Sequence, residues 1–168
     1  MSLAGSLLIS GIVIGGFLAV RTAGGKGQAQ WVANRLAENS GKPTINIGAK
    51  RSQWGDVLCD IHPQGGCIWC NAEDMSQFSD KTFSVALLSH VLEHCENPEK
   101  ALAEAQRVAD NVVVEMPSPL DITAWTTPSH RWVFMGNNKM SLNPALATSV
   151  LTTLGLGVIV LVASSRRR

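Results

Sequence analysis

FSVALLSHVLEHCENPEKALAEAQRV, Phe83 to Val108, carries the plainest sign of the fold. Its opening residues, Phe83–Leu88, are almost continuously apolar. A run of that kind predicts a strand covered on both faces. Asn97 is a good helix N-cap, Pro98 suits the first helical position, and Glu99 falls in the first turn. The helix so begun is expected to reach about Ala109, with Ala101, Leu102, Ala105, Val108 and Ala109 on one face. Val112–Met116 is the next strand, stopped by Pro117-Ser118-Pro119. A strand, a helix and a second strand in succession make a parallel crossover unit.

The same grammar extends upstream. Ala29, Trp31, Val32, Leu36 and Ala37 recur near the helical period, which predicts a helix over 28–39. Ser40-Gly41 and Pro43 stop it. Thr44–Gly48, Asp56–Asp60 and the shorter Gly66–Cys70 then read as strands. Strands joined by helix or loop crossovers predict an α/β protein with a parallel sheet. Ligands of such sheets bind beyond the carboxyl ends of the strands. The residues placed there are Gly48, Asp60, Asn71, Ser89, His90 and Pro117.

Composition divides the chain in three. Only 16% of its residues are charged, against about 25% in ordinary soluble domains. The deficit lies at the ends: no Asp, Glu, Lys or Arg occurs over the 19 residues Ser2–Val20 or the 25 residues Ser141–Ser165. Residues 22–140 carry ten basic and thirteen acidic side chains, a net −3. The expected organisation is an N-terminal transmembrane helix over 1–21, an α/β domain over 22–140, and a C-terminal transmembrane helix with a basic tail over 141–168. Each apolar run, Leu3–Val20 and about Ala145–Val162, is near the roughly 20 residues that a helix needs to span the hydrocarbon core. Nothing basic precedes the first run and Arg21 follows it, which favours an uncleaved anchor over a leader peptide. Gly11 and Gly15 have the spacing of close helix pairing. The rival reading of the second run is a buried helix. Arg21 and Lys26 favour a cytoplasmic middle, Arg166–Arg168 a cytoplasmic tail; the expectation is a two-pass membrane protein with its middle domain in the cytoplasm. The overall charge of +1 gives no basis for nucleic-acid binding. The high hydrophobicity excludes a disordered chain.

From Ile45 to about Phe134 the chain resembles class I S-adenosylmethionine-dependent methyltransferases, especially the type 11 branch. SHVLEH, Ser89–His94, followed by Asn97-Pro98 and a helix ending in Arg107-Val108, carries the likeness. The resemblance implies a reduced Rossmann-like parallel sheet sandwich, which the two transmembrane helices expected from the apolar runs would flank. It implies that S-adenosylmethionine is the cofactor. Gly48 would let the backbone approach its methionine part. Asp60 would accept hydrogen bonds from the ribose hydroxyls. Asn71 and Ala72 would face the adenine, Asn71 standing where Asp is usual. Ser89 and His90 would face the sulfonium. The departures are equally specific. Gly48-Ala49-Lys50-Arg51 holds one glycine where the family typically has three. No helix fits before Asp56, and no further sheet strands fit before Ser141.

Other groupings are weaker. Cys67-x-x-Cys70, with Cys59 and His62 nearby, is a single pair, and a structural zinc site needs four ligands. These cysteines are expected to be small buried hydrophobes. His90, Glu93 and His94 match H-x-x-E-H, but the methyltransferase-like block accounts for both histidines, and no metal is expected. Trp125, His130, Arg131 and Trp132 read either as a cover over the cofactor or as a loop on the membrane face. His130 is the candidate catalytic base, because its ordinary pKa lies near neutrality. No Gly-x-Ser-x-Gly elbow is present for a hydrolase.

Two functions follow. One is a membrane-anchored S-adenosylmethionine-dependent methyltransferase of unknown acceptor. The other is a non-catalytic subunit of methyltransferase shape, with a structural or assembly role in a membrane complex or a membrane-containing particle. Membrane lipids and protein partners are expected in either case.

Overall fold

The computed structural model describes residues 10–13, 18–21, 26–135 and 138–142. In chain order the elements are β1 (Ser10–Val13), β2 (Leu18–Arg21), α1 (Lys26–Ala37), β3 (Thr44–Ile47), β4 (Val57–Asp60) and β5 (Ile68–Trp69). There follow β6 (Phe83–Ser89), α2 (Pro98–Val108), β7 (Ala109–Glu115), α3 (Ile122–Thr126), β8 (Trp132–Met135) and β9 (Asn138–Ser141). Strands β3 to β7 form a five-stranded sheet in the order β5-β4-β3-β6-β7. Every pairing in it is parallel. The protein is therefore α/β and Rossmann-like.

β6 lies inside the sheet and is buried from Phe83 to Leu88, as its apolar run predicts. Ala86 and Leu88 face one side, with Ile45, Ile47, Phe83, Met75 and the apolar stripe of α2. Val85 and Leu87 face the other, with Val113 and the α1 residues Ala29 and Ala33. Full burial of one such Val or Leu contributes about 2 kcal/mol. α2 starts as its sequence dictates: the Asn97 side chain accepts from the Lys100 N–H at 3.0 Å, and Pro98 opens the helix. It buries Pro98, Ala101, Ala105 and Val108. Ala109 belongs to β7, because the chain extends there and the strand begins three residues before Val112. Trp31, expected on the apolar face of α1, is exposed; Ala29 and Ala33, which are small enough for close approach to β6, form the contact instead.

The crossover from β3 to β4 is a loop without a helix, as its length requires. A hydrogen-bonded bridge takes the helix's place. The Asn46 side chain donates to the Trp54 carbonyl at 2.9 Å. The Trp54 indole donates to Asn34 Oδ1 of α1 at 2.8 Å. Trp54 thus covers the sheet face beside α1.

One expectation is corrected at the N-terminal end. Residues 10–13 and 18–21, assigned to a transmembrane helix by their apolar run, form an antiparallel hairpin in which Ser10 faces Arg21 and Val13 faces Leu18. Ile12, Val13 and Val20 are β-branched and favour strands, and Gly11, Gly15 and Gly16 weaken a helix. Among the described residues no helix is long and apolar enough to cross a membrane. The run Ala145–Val162 lies outside the described residues. Two further strands do follow the parallel sheet, but as a separate antiparallel hairpin, β8–β9.

Candidate functional site

The chain leaves β3 for β4 and β5 on one side, then returns to β6 on the other side. The order reverses between β3 and β6, where open α/β sheets hold their ligands. The loops after these strands gather Gly48, Asp60, Asn71, Ser89 and His90 at one edge of the sheet.

Gly48 ends β3 with φ +71°, in the left-handed region that glycine tolerates. Its N–H and that of Ala49 donate to the Cys59 carbonyl at 2.8 and 3.0 Å. A Cβ on Gly48 would lie 2.4 Å from a methyl of Val91. The glycine is therefore demanded by the approach of the β6–α2 turn, a reason the sequence does not disclose. Asp60 ends β4. Its Oδ2 accepts from the Lys50 N–H at 2.9 Å and its Oδ1 from the His62 N–H at 2.8 Å. An ionised carboxylate offers about four lone-pair sites, so half of its capacity remains for other donors. Asn71 closes the turn after β5, its Oδ1 accepting from the Glu73 N–H at 2.9 Å. Ala72 packs half-buried against the core beside it.

At the end of β6, the Ser89 hydroxyl donates to Glu115 Oε2 at 2.5 Å. Glu115 is buried at the end of β7. The next residue, His90, takes φ +57°, and its N–H donates to the Glu115 carbonyl at 2.9 Å. A non-glycine residue in that region stores strain, a feature concentrated at functional sites. Its Nδ1 lies 3.1 Å from Oε1 of the buried Glu93.

His130 stands apart from the β3–β4 loop ends and joins a different group. Its Nδ1 is 3.0 Å from the Ala124 carbonyl, and its ring meets that of His94 edge-on, centroids 4.9 Å apart. The His94 Nδ1 lies 3.0 Å from the Ser129 carbonyl. Residues 117–135, which follow β7, are tied to the turn after β6: the Arg131 and Trp132 N–H groups donate to the Glu93 carbonyl. The Trp125 indole donates to the Pro119 carbonyl, and the Trp132 indole to the Cys95 carbonyl, each at 2.8 Å. Lys139 pairs with Glu99 and stacks on Trp132. Between them, burial first and the charges of Glu73 and Glu93 second push the Cys95 thiol up to about 12, which keeps it protonated.

The cysteine reading is corrected. Cys59 and Cys70, expected as separate buried thiols, form a disulfide with Cα atoms 5.5 Å apart, and Cys67 is free. The register of β4 against β5, with Cys59 opposite Ile68, brings them together. Glu115 and the disulfide are not legible in the sequence because each depends on which strands are neighbours, and the H-x-x-E-H spacing names Glu93 without disclosing its burial. One signal was present: a Glu inside the apolar stretch Val91–Cys95.

Residues 47–111, about two fifths of the chain, match the family model described as methyltransferase domain. The fold defines a Rossmann-like α/β protein, and this segment within it is similar to methyltransferases. The match runs from the end of β3 into β7, so it spans every strand end just described except that of β7. No curated protein and no solved structure matches the chain.

Proposed function

We propose that the chain is an S-adenosylmethionine-dependent methyltransferase-like protein whose cofactor crevice lies at the carboxyl ends of β3, β4 and β6. The observation that carries this is Asp60: an acid at the end of β4, beside the switch point, with unused acceptor capacity, inside the segment that matches the family. When bound, the cofactor supplies an electrophilic methyl group on a sulfonium sulfur. Asp60 would accept from the ribose hydroxyls. Gly48 would offer its backbone to the methionine end, Asn71 and Ala72 would face the adenine, and Ser89 and His90 the sulfonium. In the loop between β3 and β4, the Trp54 indole is tied to Asn34 of α1, and Lys50 is exposed while its backbone binds Asp60, which favours a crevice that neither side chain fills. His130, with its Nδ1 on the Ala124 carbonyl, has its Nε2 left to accept a proton. Membrane association would rest on the uncharged run Ala145–Val162 and the arginines after it, with lipids and other membrane proteins as partners and no nucleic acid.

A second reading, a non-catalytic subunit of the same shape, is favoured by one observation. Val91 occupies the space in front of Gly48 that a cofactor-binding glycine would keep open.

Calorimetric titration of S-adenosylmethionine into the full chain in detergent decides between them. Micromolar binding that is lost in Asp60→Ala and weakened in Asp60→Asn, with circular dichroism unchanged, supports the enzyme reading. No binding at millimolar cofactor overturns it and leaves the structural subunit.

A further inference from the structure

Glu93 is 1% exposed, yet its Oε2 has no hydrogen-bond partner among the described residues. A buried, unsatisfied carboxylate oxygen carries a large desolvation penalty and calls for an explanation. Glu93, His94 and His130 each place a potential ligand atom within 4.8 Å of the others. We propose that these three side chains form a binding site for a divalent transition metal of the zinc class.

The chemistry of each side chain fits. Both histidines have Nδ1 at 3.0 Å from a backbone carbonyl, Ser129 for His94 and Ala124 for His130. A carbonyl only accepts, so Nδ1 carries the proton and Nε2 presents a lone pair. Metal-bound histidines are held in this way, the far nitrogen donating to a carbonyl or carboxylate. His90 Nδ1, at 3.1 Å from Oε1, orients the Glu93 carboxyl and leaves Oε2 as the unsatisfied atom. The frame is stitched as well. The Arg131 and Trp132 N–H groups donate to the Glu93 carbonyl at 2.7 and 3.3 Å, so the strand after His130 is fixed to the residue that supplies the carboxylate.

Two imidazoles and one carboxylate suit zinc or a neighbouring first-row ion and disfavour magnesium or calcium, which take oxygen ligands. In a tetrahedral zinc site the ligand atoms stand about 3.4 Å apart. His94 is exposed, so a small shift of its ring that keeps the Ser129 bond can narrow the remaining gap without disturbing the core. Three protein ligands leave a fourth position open on the exposed side, the pattern of sites that bind water or a substrate. The site does not depend on S-adenosylmethionine binding, but its metal would take the one free lone pair of His130, on Nε2, and so would replace the role of His130 as a base.

The test uses the full chain, stripped with a chelator and titrated with zinc alone by calorimetry. The expected result is one zinc per chain. The affinity should fall at least tenfold in His94→Ala and in His130→Ala, and stay unchanged in His62→Ala, an exposed histidine outside the group. Glu93→Gln should weaken it similarly, with circular dichroism reporting whether the buried amide is tolerated. Cobalt substitution should give the visible bands of a nitrogen and oxygen site. Absence of saturable zinc binding overturns the proposal. So does binding that survives both histidine changes, or an intense thiolate charge-transfer band, which would put the metal on Cys67.

Discussion

Replacing Arg107 by alanine is expected to destabilise the domain by about 3 kcal/mol. Its guanidinium uses all five N–H groups. Nη1 donates to the Phe78 carbonyl at 2.9 Å and to Asp80 at 2.8 Å; Nη2 donates to the Met75 carbonyl at 2.9 Å. Nε and Nη2 grip Glu104 one turn back, each at 2.9 Å. These bonds tie the last turn of α2 to the loop between β5 and β6, the loop that carries Asn71 and Ala72. The half-buried bonds to the Phe78 and Met75 carbonyls are worth about 1 kcal/mol each, and the fork on Glu104 about 1 more. The contact with Asp80, whose side chain is 75% exposed, adds nothing measurable. Urea unfolding followed by tryptophan fluorescence should show the midpoint falling by roughly 1.5 M at unchanged slope. Arg107→Lys should recover less than half of the loss, because an ammonium cannot span Glu104 and two carbonyls at once. A midpoint shift under about 0.3 M, or full recovery with lysine, would show that the Arg107 fork does not hold α2 to this loop.

Gly48→Ala should cost at least about 2 kcal/mol, from the positive φ and from the clash with Val91; Gly48→Ala combined with Val91→Ala should relieve the clash but not the backbone strain, so partial recovery in thermal melts is the expected outcome. The Cys59–Cys70 disulfide closes a sequence separation of 11 residues, and in the chain-entropy treatment Cys59→Ser with Cys70→Ser removes about 3 kcal/mol; thiol titration of the unreduced, denatured chain should find Cys67 and Cys95 only. Hydrogen bonds from the Thr44 backbone and hydroxyl hold the Asp56 carboxyl below its ordinary pKa, and the Arg107 guanidinium does the same for Glu104. Both folded values lie below the unfolded ones, so this stability is complete above the ordinary carboxylate range and is lost as pH falls through the folded values. Thermal melts should be level from neutrality down to about pH 5 and fall below it, and Thr44→Val should blunt the acid sensitivity.

Local physics made most of the domain legible in advance. The run Phe83–Leu88 predicts a doubly covered strand because only burial on both sides suits six apolar residues in succession. Asn97-Pro98 predicts the start of α2 because the cap and the fixed φ of proline act within one turn. Strand ends place Asp60, Ser89 and His90 near a crevice because a parallel sheet aligns its carboxyl ends. The N-terminal hairpin was not legible: hydropathy counts apolar residues, and a run of them serves a strand as well as a helix.

The α/β class, the elements from α1 to β7 within a few residues, and the positions of the strand ends were all readable along the chain, since each depends on near neighbours. The remaining features arise from contacts between distant residues, which the folded structure reveals. It showed that Gly48 is needed for Val91, that Cys59 reaches Cys70 across β4 and β5, and that Arg107 ties α2 to the loop before β6. It also brought His130 to Glu93 and His94. These contacts join residues that lie 11 to 43 positions apart in the chain. Their existence follows from strand order and from the return of the chain after β7 to the turn that carries Glu93, which no periodicity in the sequence records.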